Sequence, residues 1–262
     1  MDNYLEINKN SWNAKVQTHL ESEFYDMPSF LEGKTSLPQI DLDLLGDISG
    51  KTILHLQCHF GQDTISLSRM GAKVVGVDFS EEAVETAQKL ANQVDADTTF
   101  ICSDVYRLDE VLDQQFDIIY TSYGVIGWLP DMNRWAKIIQ KFLKPGGKLI
   151  FAEFHPVVWM FDDAFEKVAY SYFNTGAIAE TYEGTYANQE ADLKQQYVMW
   201  NHSIGEVMGA LLMNGIQIED FKEYDYSPWP CFKEVKEIGD KRYIIPKWEG
   251  KLPMVYSIVG RK

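Results

Sequence analysis

Between residues 51 and 155, five short apolar runs alternate with helical patterns, and none of the runs alternates apolar with polar residues. They are Lys51–Gln57, Lys73–Asp78 (KVVGVD), Thr98–Cys102, Phe116–Thr121 (FDIIYT) and Lys148–Phe154 (KLIFAEF). A strand with one wet face keeps a period of two, whereas a strand that is apolar throughout is covered on both faces. Separated by helices, such strands predict a parallel sheet wrapped on both sides, a doubly wound α/β unit. The helical segments carry their own punctuation. Gln62–Met70 stops at Gly71, Ser80 caps a helix with Glu81 and Glu82 in its first turn, and Asp131–Leu143 runs into the turn Lys144-Pro145-Gly146-Gly147.

The flanks read differently. Leu5, Trp12, Val16 and Leu20 recur at helical spacing and predict an amphipathic helix over 2–20. A Pro/Gly-punctuated connector follows, from Met27-Pro28 to Gly50. Residues 156–202 break the α/β rhythm: YSYF, ETYEGTY and QQYVMW read as short strands of an inserted antiparallel β patch. Ser203-x-x-Glu206 is a capping box. It opens a helix with Ile204, Val207, Met208, Leu211 and Leu212 on one face, closed by Asn214-Gly215. Ile216–Tyr224 and Met254–Gly260 are the last strands, with a Pro/Trp-rich loop, 227–253, between them. Four segments result: 1–50, an N-terminal helix and connector acting as a lid; 51–155, the α/β core; 156–202, the inserted β lid; and 203–262, a helix and two strands that complete the sheet.

Composition narrows the partners. The chain has 262 residues, 45% hydrophobic and 24% charged, with a net charge of −15. An acidic body repels phosphate backbones, and no Lys/Arg run exceeds two residues, so no nucleic-acid partner is expected. No apolar stretch approaches a membrane span. The opening MDNYLEINKN has no basic stretch leading into an apolar one, and Cys58, Cys102 and Cys231 lie far apart with no CxxC. A cytoplasmic location with reduced thiols is expected. Neither HExxH nor an EF-hand loop occurs, so no metal site is expected. The oligomeric state is not legible.

In an open α/β sheet, ligands bind beyond the carboxyl ends of the strands. The first strand exits as His55-Leu56-Gln57-Cys58-His59-Phe60-Gly61, with a single glycine. A pyrophosphate cradle needs several. Asp78 ends the second strand, where a carboxylate can accept from vicinal ribose hydroxyls. Asp104 follows the third strand on the same edge, within reach of an exocyclic amine. Two acids without a phosphate cradle favour a sulfonium nucleoside over a nicotinamide dinucleotide.

The stretches ILHLQCHFGQDTISLSRMGAKVVGVDFS, ICSDV, FDIIYTSYGVIGWLPD and LKPGGKLIFAEF together resemble the class I S-adenosylmethionine-dependent methyltransferases, and the LQCHFGQD loop resembles a bacterial subgroup of them with small-molecule-type members. The resemblance implies a Rossmann-like, seven-stranded sheet whose last strand is antiparallel, S-adenosyl-L-methionine as cofactor, and methyl transfer to a small-molecule O, N or S acceptor. It assigns Asp78, with Phe79 beside it, to the ribose, and Asp104 and Val105 to the adenine. It also implies that Thr121–Tyr123, after the fourth strand, flank the methionine moiety. The family's first motif departs here: His55 stands at its acidic position, and Gln57 and His59 replace two glycines, leaving Gly61. Side chains of Gln57 and His59 then stand in for backbone contacts. An NAD-linked Rossmann-fold oxidoreductase and a non-catalytic S-adenosylmethionine-binding protein are the alternatives.

His155, at the end of the fifth strand, is a candidate general base, with a hydrogen-bonded loop histidine as its rival reading. His202 has helix capping as its rival. Trp12 and Tyr25 are candidates to close over the cofactor, and Trp128, Trp159, Trp200 and Trp229 to line an acceptor pocket; plain packing competes in each case. Pro230-Cys231 reads as loop packing, because it does not follow the fourth strand.

Overall fold

The computed structural model describes residues 3–262. Seven strands form one sheet: β1 (Thr52–Leu56), β2 (Lys73–Asp78), β3 (Thr98–Cys102), β4 (Phe116–Ser122), β5 (Leu143–Phe154), β8 (Gln217–Tyr224) and β11 (Val255–Arg261). Their order is β3-β2-β1-β4-β5-β11-β8. The first five are parallel, while β11 runs antiparallel to both β5 and β8. Strand order reverses between β1 and β4, which opens a crevice at their carboxyl ends.

Seven helices accompany the sheet: α1 (Tyr4–Leu20), α2 (Met27–Leu31), α3 (Gln39–Leu45), α4 (Gln62–Arg69), α5 (Glu81–Gln93), α6 (Met132–Phe142) and α7 (Ile204–Met213). The continuously apolar strands are explained by burial on alternate faces. Leu54, Leu56, Ile119, Leu149 and Phe151 pack with Trp135 of α6 and Val207 and Leu211 of α7. Ile53, Ile118, Tyr120 and Ile150 pack on the other side with Leu45 of α3 and Leu67 of α4. No helix among the described residues is long and apolar enough to cross a membrane.

The sheet is as the sequence predicts, and four readings are corrected. The connector 27–50 contains α2 and α3. Pro28 sits in the first turn of α2 and Pro38 caps α3, so both prolines start helices. Lys144-Pro145-Gly146-Gly147 is an irregularity inside β5, where the register against β4 slips between Phe116 and Ile118. YSYF is not a strand: the inserted patch pairs only β6 (Ile178–Glu183) with β7 (Lys194–Met199). Tyr172 instead holds the start of α7, its hydroxyl accepting from the Ile204 N–H at 3.3 Å. The loop 227–253 carries a two-residue pair, β9 (Lys236–Glu237) and β10 (Tyr243–Ile244).

The fourth correction concerns α1, which is helical from Tyr4; residue 2 of the expected helix lies outside the described residues. Its buried positions are Asn8, Ser11, Lys15, Val16 and His19, while Leu5 and Leu20 are only half-buried. The helix therefore turns a mostly polar face inward. Asn8 is fixed by a two-way pairing with β7: its amide donates to the Val198 carbonyl at 2.7 Å and accepts from the Val198 N–H at 2.8 Å.

Candidate functional site

A cavity of about 440 Å³ opens at the carboxyl edge of the sheet, in the size range of small-ligand sites. The β1–α4 bend and Asp78 line it, as do Tyr123 after β4 and Glu153 near the end of β5. Trp12 and Tyr25 reach it from the N-terminal segment, together with Trp128, Trp159, Trp200 and Trp229. All six candidate aromatics thus meet in one space.

The bend is where the sequence departs from the family it resembles, and the backbone explains how it manages. Gln57 and His59 have φ of +56° and +51°, the left-handed region that glycine enters freely. Each costs about 1 kcal/mol or more in a residue with a Cβ. Gly61, at φ +81°, cannot be replaced in the same way, because a Cβ there would sit 2.7 Å from the Phe100 ring and 2.9 Å from Ala87 Cβ. The side chains at 57 and 59 are then available for other work. Gln57 Nε2 donates to the Val125 carbonyl at 2.8 Å, bracing the loop after β4. Gln57 Oε1 and His59 Nε2 are buried without a partner.

Asp78 is 6% exposed. Its Oδ2 accepts from the His59 N–H and its Oδ1 from the Ser80 N–H, each at 2.9 Å. Burial raises its pKa to about 6 against the pull of these donors. Each oxygen still has a lone pair for a ligand hydroxyl. Phe79 borders both the large cavity and a second one of about 30 Å³. Asp104 and Val105 line that smaller space with Tyr4 and Asn8 of α1, and Gln57 and Trp128 are shared by both. Asp104 Oδ1 also accepts from the Tyr106 N–H at 3.0 Å.

Two expected residues are placed elsewhere. His155 does not line the cavity. Its Nδ1 accepts from the Val157 N–H at 3.2 Å, so Nε2 carries the proton and donates to Glu223 at 2.9 Å. It is a hydrogen-bonded loop histidine with no ring nitrogen free for a ligand. Thr121 is fully buried and does not reach the cavity; of its segment, Ser122 and Tyr123 do. His202 lines the cavity, with Nε2 2.8 Å from the Leu129 carbonyl oxygen. Cys231 lines it too, its thiol pushed up to about 12 by burial, which leaves it un-ionised. Among the described residues no group of three or more His, Cys, Asp or Glu is arranged to hold a metal.

Glu153 was not singled out in the sequence. It is an acid in an otherwise apolar strand end, and that oddity is its signal. Its Oε1 accepts from the Gly124 and Phe154 N–H groups, and its Oε2 from Val125 at 2.8 Å and Ile126 at 3.2 Å. Three consecutive N–H groups after β4 are thereby turned onto one carboxylate.

Asp41 of α3 does similar work behind the site. It is fully buried and accepts from Tyr120 at 2.7 Å and from Tyr123 at 2.8 Å. Burial lifts its pKa to about 7 despite both phenols. A carboxyl raised on folding adds stability below its unfolded pKa and loses it as pH rises through the folded one. Wild type is therefore expected to lose stability relative to Asp41→Asn between about pH 4 and pH 7, by at most about 4 kcal/mol. Paired urea titrations at several pH values check this, and parallel curves for the two proteins would refute it.

Known methyltransferases resemble this chain in sequence and in fold. Residues 54–151 match the family model described as a methyltransferase domain. The ubiquinone biosynthesis O-methyltransferase of Coxiella burnetii is 35% identical over 105 residues, covering 40% of this chain and 44% of that protein. The demethylmenaquinone methyltransferase of Lactococcus lactis is 34% identical over 127 residues, covering 47% and 50%. The chain thus spans about half the length of these curated relatives. A crystal structure of an S-adenosylmethionine-dependent methyltransferase from Mesorhizobium loti superposes with a TM-score of 0.59 at 20% identity, over 88% of this chain and 100% of that one. Residues 54–151 are thus similar to a methyltransferase domain, and the seven-stranded sheet has the Rossmann-like fold seen in a solved S-adenosylmethionine-dependent methyltransferase.

Proposed function

We propose that the protein transfers a methyl group from S-adenosylmethionine to an oxygen of a small, mostly apolar aromatic acceptor. One observation carries the reading: a single cavity has the Asp78 bend in one wall and six aromatic side chains, Trp12, Tyr25, Trp128, Trp159, Trp200 and Trp229, among the residues of the others. The residues suit the donor. Asp78 accepts from vicinal hydroxyls, Phe79 and Val105 flank the base, and Gln57 and His59 line the space beside the left-handed bend.

When bound, S-adenosylmethionine would supply a methyl group already activated by its sulfonium: the S–C bond breaks as the O–C bond forms, S-adenosylhomocysteine leaves, and the acceptor reacts as its phenolate, its proton lost to water before it is enclosed. The protein's own share is alignment and exclusion of water. Trp128, Tyr123 and the loop braced by Glu153 fix the wall past which the two reactants meet. Aromatic faces add cation–π attraction for a sulfonium, about 0.5–2 kcal/mol per ring. The space beside Asp104 is small, about 30 Å³, and the Tyr4–Asn8 end of α1 forms one of its walls. In this reading α1 and the β6–β7 hairpin form the lid. The quinone-pathway names of the relatives support an acceptor with a ring and an apolar body.

The test is mass-spectrometric detection of S-adenosylhomocysteine from enzyme, S-adenosylmethionine and a panel of phenols and hydroquinones. Acceptor-dependent release is expected. Tight binding of the donor with no release under any acceptor would leave a binding protein, and thermal protection by NAD in place of the donor would point to redox chemistry.

A further inference from the structure

Six acids line the large cavity: Asp26, Asp63, Asp78, Glu153, Asp162 and Asp163. Asp26 pairs with Lys34 at 3.0 Å and Asp163 with Lys233 at 3.1 Å. Asp78 and Glu153 hold backbone N–H groups with both oxygens, and Asp162 accepts from the Glu166 N–H at 2.8 Å. Asp63 has neither a cation nor a backbone N–H among the described residues. Its one partner is the Ser36 hydroxyl, which donates to Oδ1 at 2.6 Å. Its Oδ2 has no protein partner and is not sealed from solvent. Burial raises its pKa against the pull of Ser36.

The carboxylate is held in place. The Ser36 N–H donates to Ser66 Oγ at 3.1 Å. Because the Ser36 proton goes to Asp63, the Ser66 hydroxyl donates back to Ser36 Oγ at 2.9 Å. The connector before α3 is thereby tied to α4, with Asp63 between them. An acid in the first turn of a helix is favoured by the macrodipole whatever it faces, and Asp63 stands in the first turn of α4. That position by itself assigns nothing; the surroundings of the free oxygen do. Tyr25 and Tyr186 line the same cavity, and their hydroxyls bond each other. Burial raises both phenols and the Asp63 charge adds to that, so they present neutral rings. Trp159 and Trp229 add two more rings to the lining. A carboxylate withdrawn from water needs a counter-charge, and aromatic faces attract a cation that comes with an apolar body.

We propose that Asp63 selects the methyl acceptor by pairing with an ammonium group on it, so that the acceptor is a phenol carrying a protonated amine. The inference rests on the methyl-transfer reading and deepens it: one cationic group is added to an otherwise apolar aromatic molecule. The donor also carries an amine, and the test separates the two sources.

Calorimetry with saturating S-adenosylhomocysteine compares tyramine, 4-ethylphenol and 3-(4-hydroxyphenyl)propionate, three phenols with a positive, a neutral and a negative arm. Wild type is expected to bind tyramine at least tenfold more tightly than 4-ethylphenol, and the acid more weakly than either. In Asp63→Asn, which keeps the volume, the preference for the amine falls below threefold. In Asp63→Glu, which keeps the charge, the order of the three is retained. S-adenosylhomocysteine itself binds Asp63→Asn within twofold of wild type. A larger loss there assigns the carboxylate to the amine of the donor and overturns the inference. Wild type without a preference for the amine, or a preference that survives in Asp63→Asn, overturns it as well. The wild-type order is decisive even where a variant fails to fold. Wild type that binds S-adenosylhomocysteine but none of the three phenols overturns the acceptor class and leaves the methyl-transfer reading standing, whereas wild type that binds no S-adenosylhomocysteine removes both.

Discussion

Asp78→Ala is expected to weaken binding of S-adenosylhomocysteine by about 10- to 100-fold, or about 1.4–3 kcal/mol, the value of hydrogen bonds to a charged acceptor. The carboxylate serves twice. It would accept from the ligand's vicinal hydroxyls, and it already holds the His59 and Ser80 N–H groups at 2.9 Å. The second task fixes the bend, so the alanine variant loses both a contact and the shape of the wall. Asp78→Asn separates the two. It keeps one acceptor and the side-chain volume, and its loss should be smaller. Because burial has raised the pKa of Asp78 to about 6, wild-type affinity should fall as pH drops below that value, and this limb should vanish in Asp78→Asn. Calorimetry over pH 5–8 reads all three effects. Affinities for wild type and Asp78→Ala that agree within twofold would remove Asp78 from the site.

Glu153→Ala is expected to cost about 3–5 kcal/mol of stability, measured by urea unfolding, as when one partner of a buried charge-assisted network is removed. Four backbone N–H groups lose their acceptor at once: Gly124, Val125, Ile126 and Phe154. Glu153→Gln keeps one oxygen and turns N–H against N–H, so an intermediate loss is expected. The loop it releases carries Tyr123 at φ +41° and Gly124 at φ +71°, a backbone held by its surroundings. Donor binding should therefore weaken along with stability. A loss under about 1 kcal/mol in Glu153→Ala would mean that water from the cavity satisfies these groups.

The parallel core was legible because burial on both faces removes polar residues from a strand, and that depletion survives in any single sequence. Sheet edges and tips were legible for a related reason: an acid such as Asp78 at the end of a run like KVVGVD has no place in an apolar layer. Other features were hidden where one residue type signals two structures. Pro28 and Pro38 punctuate loops and also begin helices. Trp12 and Val16 marked α1 as a helix, but its inward face is set by Asn8, Lys15 and His19, which a hydrophobic stripe does not report. Lys15 was missed because a lysine in a helix is by default a solvated one, and only three dimensions show the Trp12 and Trp128 rings against its ammonium. His155 illustrates the opposite error. It stands at the correct strand end, but β8, which lies two strands along the sheet beyond β11, brings Glu223 against it. A one-dimensional reading does not see across a sheet.

The two-way pairing of Asn8 with Val198 has a consequence for protein engineering. One side chain behaves there as an extra rung on a ladder, welding the first helix to a hairpin 190 positions away. A chimera that imports the hairpin from a relative to change substrate preference would arrive with an open edge unless it also imports its own opening helix. Recombination libraries cut between these pieces should lose folded members for that reason, and those that shuffle them as a set should not.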